Sequence, residues 1–209
     1  MFDHILVPLD GSRLAETTLP HLVALLSAFN ARGTLLRVIE QEVGGQTRSV
    51  DPMAWRIERA QAKAYLDEQA SRLAQVGHEV DTALLEGQAA DRIIEYAYNE
   101  GADLILLSSH GRSGLSRWNI SSVVQKIILQ ARMSVMIVRA YQPAMEDLTA
   151  QRYRRILAPL DCSQRAEVVL PPSITLARAH GARLVLAHVV HLPEMTCPEP
   201  LSDEDRALV

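Results

Sequence analysis

The chain has 209 residues, of which 48% are hydrophobic, so it can bury a core of ordinary domain size. Its formal net charge is −4 and no basic run occurs, which argues against nucleic acid and anionic membranes as partners. The spacing of its two cysteines, Cys162 and Cys197, indicates neither a disulfide framework nor a metal site. No apolar stretch approaches the ~20 residues that a membrane span needs. We therefore expect a soluble, cytoplasmic protein.

Short apolar runs alternate with segments of helical period along the first two thirds of the chain. Five runs predict strands of a parallel sheet covered on both faces: His4–Leu9, Gly33–Ile39, Val80–Leu85, Leu104–Leu107 and Val135–Val138. Four segments between them predict amphipathic helices: Ser12–Asn30, Met53–Val76, Ala89–Glu100 and Ser121–Gln130. This order predicts a doubly wound, Rossmann-like α/β domain with a five-stranded parallel sheet. Its ligand crevice should lie at the carboxyl ends of the strands.

The beginning of the chain is repeated near its end. Residues 5–12, ILVPLDGS, return as residues 156–163, ILAPLDCS, and the similarity continues, so that about half of all aligned positions are identical. A period this long indicates tandem domains rather than a solenoid. We predict a complete domain over residues 1–141, a linker over 142–154 and an incomplete second repeat over 155–209.

The incomplete repeat poses a physical problem of its own. A single βαβ unit exposes a sheet edge and cannot bury both faces of its strands. It could pack on the first domain, pair with another chain, or belong to a longer tandem protein. The sequence favours the last of these alternatives.

The first candidate site lies where the first strand meets the first helix, at Pro8-Leu9-Asp10-Gly11-Ser12. The unpaired N–H groups and the dipole of a helix N-terminus favour an anion there. Asp10 could accept a hydrogen bond from a ribose hydroxyl or hold a metal ion that bridges phosphates. Alternatively, Asp10 or Ser12 merely caps the helix, and both roles can apply together.

The second candidate site follows the fourth strand, over residues 108–117, SSHGRSGLSR. Gly111 and Gly114 permit a close approach of the backbone to a ligand, and Arg112 could complement phosphate charge. The Ser121-Ser122 pair stands where a helix N-terminus would offer N–H groups and hydroxyls. The segment is not a Walker A loop, because it lacks Gly-Lys-Ser/Thr. An ordinary glycine turn with a solvated arginine is the alternative.

Taken together, the two loops resemble the universal stress protein family of adenine-nucleotide-binding α/β proteins. The family pattern Gly-x2-Gly-x9-Gly-Ser/Thr falls here on Ser108, Gly111, Ser121 and Ser122. Two positions depart from the pattern, because Ser108 and Ser121 replace glycines. Ser108 need not clash if its φ is negative, whereas the Cβ of Ser121 could press on a phosphate or require a strained backbone.

The resemblance implies a nucleotide site and a dimer along the last strand. In ATP-binding members the base packs near the positions of Val38 and Leu107, while the first loop handles base and ribose. Mg²⁺ bound with ATP could be held by Asp10 and Ser122. The cofactor-binding residues implied in this way are Pro8, Leu9, Asp10, Val38, Leu107, Gly111, Arg112, Gly114, Ser121, Ser122 and Val123.

These observations predict a stress-response protein that binds ATP and signals to an unidentified protein partner through its conformation or its dimerisation. No general base stands beside the expected phosphates, so we predict no enzyme activity, although slow hydrolysis stays open. The alternative is a nucleotide-free dimeric module that uses Val135, Met136, Ile137 and Val138 of the last strand. A pyrophosphatase-type nucleotide hydrolase is disfavoured, because its Ser-Gly-Gly-x-Asp-Ser loop is missing.

Overall fold

The computed structural model describes residues 1–40, 52–109, 121–139 and 147–190. Two sheets are present in these segments, one of five strands and one of two. The strands are β1 His4–Pro8, β2 Arg32–Ile39, β3 Asp81–Glu86, β4 Leu104–Ser108, β5 Ser134–Val138, β6 Arg155–Pro159 and β7 Arg183–Ala187. The helices are α1 Thr18–Phe29, α2 Pro52–Gln75, α3 Ala89–Asn99, α4 Ser122–Gln130 and α5 Leu170–His180.

The larger sheet is wholly parallel and has the strand order β3-β2-β1-β4-β5. The chain thus starts in the middle of the sheet, adds strands on one side and then crosses to the other. This is the doubly wound α/β architecture that the alternation of apolar runs predicted, with five strands as expected.

Each face of the five-stranded sheet is buried by its own layer of helices. On one face, Val7 and Leu35 pack in a cluster with Leu22 of α1 and Leu66 of α2. On the other face, Leu6, Leu36 and Ile105 pack in a cluster with Ile93 of α3 and Ile127 of α4. Side chains of successive strand residues point to opposite faces, so an uninterrupted apolar run supplies both clusters.

The first α-helix begins later than the sequence predicted. A turn precedes it, in which the hydroxyl of Ser12 accepts a hydrogen bond from the backbone N–H of Ala15 at 3.1 Å. A short 3-10 helix at Ala15–Thr17 follows, and the α-helix starts only at Thr18. Ser12 therefore caps this turn rather than the α-helix itself.

The second sheet repeats the geometry of the beginning of the chain. β6 pairs with β7 in parallel, with Arg155 opposite Arg183, just as His4 lies opposite Arg32 between β1 and β2. The connection contains a 3-10 helix at Ala166–Val169 and then α5, in the same order as in the first copy. Helix α5 packs against α1, its counterpart in the first copy.

The segment that joins the two sheets contributes to the core of the first. We predicted a linker over residues 142–154, but Leu148 is buried to 3% exposure in the cluster that contains Leu22 of α1. Tyr153 lies near the end of the same segment, and its hydroxyl forms a hydrogen bond of 2.7 Å with the Nδ1 atom of His21. The described part of this segment is thus packed against the first domain.

Candidate functional site

The candidate site lies where the strand order reverses. β1 is flanked by β2 on one side and by β4 on the other, and the chain crosses between these sides of the sheet. In an open parallel sheet, the loops that follow two such strands diverge and leave a crevice at their carboxyl ends. The β1–α1 loop and the end of β4 therefore lie on the two sides of this crevice.

The β1–α1 loop is held by short hydrogen bonds of its own. The Oδ1 atom of Asp10 accepts a hydrogen bond from the backbone N–H of Ser12 at 2.9 Å. Gly11 between them has φ +83°, a left-handed conformation that side chains disfavour. A Cβ atom at Gly11 would lie 2.7 Å from Nη1 of Arg37, which reaches across from β2.

The second copy of this loop has the same geometry. Asp161 accepts from the N–H of Ser163 at 2.9 Å, and the hydroxyl of Ser163 accepts from the N–H of Ala166 at 3.1 Å. The hydrogen bonds from the side chain and the backbone of Ser163 lower the pKa of Asp161. Since both copies form this turn, the turn alone explains the position of Asp10, and nucleotide binding needs support from elsewhere.

That support comes from the start of α4. Ser121 is the N-cap residue, and its hydroxyl accepts a hydrogen bond from the N–H of Val124 at 3.3 Å. The backbone hydrogen bond from Gln125 to Ser121 is the first of the helix, so the N–H groups of Ser122 and Val123 precede it. These amides and the helix dipole make the α4 N-terminus suited to an anion.

The backbone of Ser121 is unstrained. Its φ is −60° and its ψ is 150°, which any L-residue adopts. Ser108, the other serine at a family glycine, ends β4, and the positive φ angles of the described non-glycine residues occur only at Asn30 and Cys162. The expected backbone strain at Ser121 is therefore absent. The other expectation, that the Cβ of Ser121 presses on a bound phosphate, stays a prediction.

The two apolar residues assigned to the base, Val38 and Leu107, lie on the same face of the sheet, and Val123, assigned to the phosphates, lies beside them. Val38 and Val123 are half-buried, Leu107 is buried, and all three belong to the cluster between the sheet and helices α3 and α4. Leu9 belongs to the cluster on the other face of the sheet. Its backbone N–H donates to the carbonyl of Leu36 at 2.8 Å. Val38 and Val123 thus offer side-chain surface to a ligand, whereas Leu9 and Leu107 offer little.

The two ends of the proposed phosphate loop meet. The N–H of Ser121 donates to the carbonyl of Ser109 at 3.3 Å, and the N–H of Ser109 donates to the carbonyl of Val138 at 2.8 Å. The start of α4 is thereby attached to the end of β4. Gly111, Arg112 and Gly114 lie outside the described residues, so their assignment stays a prediction.

Sequence reasoning did not identify Arg37 as a residue near the site. Its guanidinium lies over Gly11 and 5.2 Å from the ring centroid of Tyr65, a cation–π distance. Burial is the main cause that raises the pKa of Tyr65, and the carboxylate of Glu16 adds to it. The signal was available, because Arg37 is the one charged residue in the apolar run Gly33–Ile39.

The described segments contain neither a membrane-spanning helix nor a cluster of metal ligands. Among these residues, no helix is long and apolar enough to cross a membrane. The same segments contain no group of three or more histidine, cysteine, aspartate or glutamate side chains placed to hold a metal ion.

Comparison with known proteins agrees with the fold. The solved structure of the protein MJ0577 of Methanocaldococcus jannaschii matches with a TM-score of 0.59 at 27% identity, over 68% of this chain and 99% of that one. A universal stress protein solved in complex with cAMP matches with a TM-score of 0.52 at 19% identity, over 66% and 98%.

A universal stress protein from Archaeoglobus fulgidus matches over a longer stretch. The TM-score is 0.71 at 20% identity, and the match covers 93% of this chain and 68% of that one. The model of the family described as "Universal stress protein family" matches residues 1–139, the segment that forms the five-stranded sheet. The chain belongs to the universal stress protein family.

Proposed function

We propose that this stress-response protein binds ATP at the carboxyl edge of β1 and β4 and acts as a nucleotide-dependent regulatory module. The observation that carries the proposal is that the Asp10 turn follows β1, and the unstrained N-terminus of α4 follows β4, at the point where the strand order reverses. A solved protein of the same fold in complex with cAMP supports an adenine nucleotide as the ligand.

Each described residue has a physical role in the proposal. Val38 and Val123 supply apolar surface to the base, and Asp10 accepts a hydrogen bond from a ribose hydroxyl. The N–H groups of Ser122 and Val123 donate to phosphate oxygens. Where Mg²⁺ accompanies ATP, Asp10 and the hydroxyl of Ser122 are the oxygen ligands that this chain offers.

Nucleotide occupancy would be transmitted through the parts of the protein that contact the loop. Ser109 joins the start of α4 to β5 at the edge of the sheet. β5 carries Val135, Met136 and Ile137, which are half-buried, and Val138, which is buried. We propose homodimerisation along this edge strand as the response to ATP. No step of the proposal requires hydrolysis.

Two equivalent aspartates allow a matched test. We expect Asp10→Asn to weaken Mg²⁺–ATP binding about tenfold, or 1.4 kcal/mol, because it removes a charge beside the ribose and the metal. Asp161→Asn makes the same change in the second copy of the turn and should leave affinity unchanged. Isothermal titration calorimetry with ATP and Mg²⁺ measures both. Equal affinities of Asp10→Asn and Asp161→Asn would contradict the assignment of Asp10.

The phosphate loop is tested by two further variants. Gly111→Val should abolish binding without loss of fold, and circular dichroism checks the fold. Ser121→Gly restores the family residue, and because Ser121 is unstrained we expect Kd to change by less than about threefold. If the wild-type protein fails to bind at millimolar ATP while Ser121→Gly binds, the Cβ of Ser121 closes the site. The nucleotide-free dimeric module would then be the better description.

A further inference from the structure

A cleft between helices α3 and α4 lies away from the proposed nucleotide site. It measures about 420 Å³, within the ~300–1,000 Å³ of small-molecule sites. We call it the α3–α4 cleft, and its lining includes Asp91, Ile94, Glu95 and Tyr98 of α3 and also Arg132 and Met133, which follow α4. The chain continues from there to the amino end of β5, whereas the nucleotide site is proposed at the carboxyl ends of β1 and β4.

The register of the two helices creates the cleft. Both helices connect parallel strands of one sheet, so they run in the same direction. The Nζ atom of Lys126 in α4 lies 2.7 Å from Oδ1 of Asp91 in α3. Helix α4 ends four residues after Lys126, whereas α3 continues for eight residues after Asp91. At 1.5 Å per residue, the end of α3 therefore extends about 6 Å beyond the end of α4. Tyr98 thus stands beside Arg132 and Met133 rather than beside a helix.

Part of the cleft is apolar. Ile94 and Met133 are half-buried and pack against the cluster between the sheet and helices α3 and α4. Tyr98 also lines the cleft, and it is 68% exposed. A large aromatic side chain in solvent beside two apolar ones offers a contact surface to a flat apolar group. These three residues therefore suit the apolar part of a ligand.

The charged groups at the cleft leave one positive charge without a partner. The two carboxylates of the lining are neutralised, Asp91 by Lys126 and Glu95 by Arg92, each over a distance of 2.7 Å. The side chain of Arg132 is exposed and, within the part of the chain that the structure describes, forms neither an ion pair nor a hydrogen bond. The planar N–H groups of a guanidinium match the two oxygens of a carboxylate. The unneutralised charge thus favours an anion of this shape.

We propose that the α3–α4 cleft binds a small organic carboxylate with a flat apolar body. The carboxylate accepts hydrogen bonds from Arg132, and the apolar body lies against Ile94, Tyr98 and Met133. This site is separate from that of the nucleotide and does not depend on it. The other role open to Arg132 is to complement the negative end of the α4 dipole. The test separates these two roles.

Three probes of one shape and different charge test the chemistry of the cleft. Sodium hydrocinnamate carries a carboxylate, hydrocinnamamide is neutral, and phenylpropylammonium is positive. Each is titrated into the full chain, and the backbone amide signals are followed by NMR. We expect hydrocinnamate to bind with a Kd of about 3 mM or lower and the other two at least about fivefold more weakly. No saturation by hydrocinnamate up to about 50 mM would overturn the proposal. Equal or tighter binding of either other probe would do the same.

The same spectra show where the probe binds. We expect the shifts to be concentrated in residues 94–99 and 132–134 and to be absent around Val38. Shifts concentrated around Val38 instead would place hydrocinnamate in the nucleotide crevice and overturn the proposal.

Two arginine variants separate binding from a structural role. Arg132→Gln removes the positive charge and should weaken hydrocinnamate binding at least about fivefold, while the affinity for hydrocinnamamide stays the same. Arg178→Gln makes the same change at an exposed residue of α5 and should leave both affinities unchanged. Thermal unfolding reports the stability of each variant. If Arg132→Gln lowers the Tm but leaves the Kd of hydrocinnamate unchanged, Arg132 serves only the end of α4 and the proposal fails.

Discussion

At the scale of residues, the two copies of the strand–turn unit share one left-handed backbone position but surround it with different side chains. Gly11 has φ +83°, and its equivalent, Cys162, has φ +65°. Arg37 lies over Gly11, whereas the equivalent of Arg37 is His188, whose Nδ1 atom is 3.8 Å from Sγ of Cys162. The turn residue and the residue that faces it thus vary together. Gly11, which has no side chain, faces the long side chain of Arg37, and Cys162 faces the shorter side chain of His188. The absence of a side chain at Gly11 is thus linked to the presence of Arg37.

This linkage predicts that Gly11 is less replaceable than another glycine of similar φ. Gly77→Ala, at φ +89° with no atom within 4 Å of the new Cβ, should cost about 1 kcal/mol of unfolding free energy from backbone strain alone. Gly11→Ala should cost about 0.5–1 kcal/mol more, because Arg37 must leave the ring of Tyr65. Urea denaturation measures both. Equal losses would contradict a role of Arg37 in the conformation of the loop.

At the scale of helices, α1 and α5 meet around a half-buried cluster of two histidines and a tyrosine. Tyr153 lies between them, with its ring centroid 4.9 Å from that of His180 and its hydroxyl 2.7 Å from Nδ1 of His21. Among the described residues, the carbonyl of Ala24 is near His180, but neither ring nitrogen makes a hydrogen bond of good geometry. A protonated histidine in such a place would carry a poorly compensated charge.

Burial makes both histidines resist protonation. Burial lowers the pKa of His21. The pKa of His180 is lowered first by burial and then by the charge of Arg152, against which the carbonyl of Ala24 acts. When α5 detaches from α1, both side chains regain an ordinary pKa near 6.5 and bind protons more readily. Their contribution to the α1–α5 contact is therefore full above about pH 6.5 and is lost as the pH falls below it.

Acidification should accordingly loosen the second sheet from the first domain. Between pH 8 and pH 5 we expect hydrogen exchange of the α5 amides, corrected for its intrinsic pH dependence, to become faster. His180→Phe should reduce this dependence, because Phe29 occupies the equivalent position of α1 and does not titrate. His188→Gln, a change outside the α1–α5 contact, serves as the matched control. The same pH dependence in wild type and His180→Phe would exclude His180 as a cause.

At the scale of the whole molecule, the segment between the two sheets is a structural part of the first domain. Leu148 packs in the cluster that includes Leu22, Leu66 and Leu104. The family model ends at residue 139, so this contribution lies beyond the segment that defines the family. The boundary between the two parts of the chain is therefore better placed after Leu148 than at residue 141.

This placement predicts that a change outside the family segment destabilises the first domain. Leu148→Ala should lower its free energy of unfolding by about 2–5 kcal/mol, because the change removes buried carbon atoms and leaves a cavity. Leu129→Ala, in the exposed surface of α4, should change it by less than about 0.5 kcal/mol. Thermal unfolding of the two variants decides. If Leu148→Ala lowers the free energy of unfolding by less than about 0.5 kcal/mol, the segment does not support the core.

The five-stranded fold could be predicted from the sequence because each strand contains a short run rich in apolar residues, even where a charged residue such as Arg37 in β2 interrupts it. Leu104–Leu107, for example, was predicted where the structure has Leu104–Ser108. The position of Asp10 just after β1, where the strand order reverses, could also be predicted, while its role in a site stays a proposal. By contrast, the burial of Leu148 and the packing of α5 on α1 depend on contacts between distant parts of the chain, which no local pattern encodes. The later start of α1 depends on the hydrogen bonds of the Ser12 turn, which compete with regular helix.

The hydrogen bond between Ser121 and Ser109 allows the segment between these residues to change in sequence without a change in the sheet. The bond joins the two described residues on either side of residues 110–120, so the ends of that segment are held together. For such a loop, a doubling of length adds only about 0.6 kcal/mol of closure entropy. Insertions and replacements there can alter ligand preference while the strands keep their register. Relatives could thus diverge in what they bind and still share one sheet.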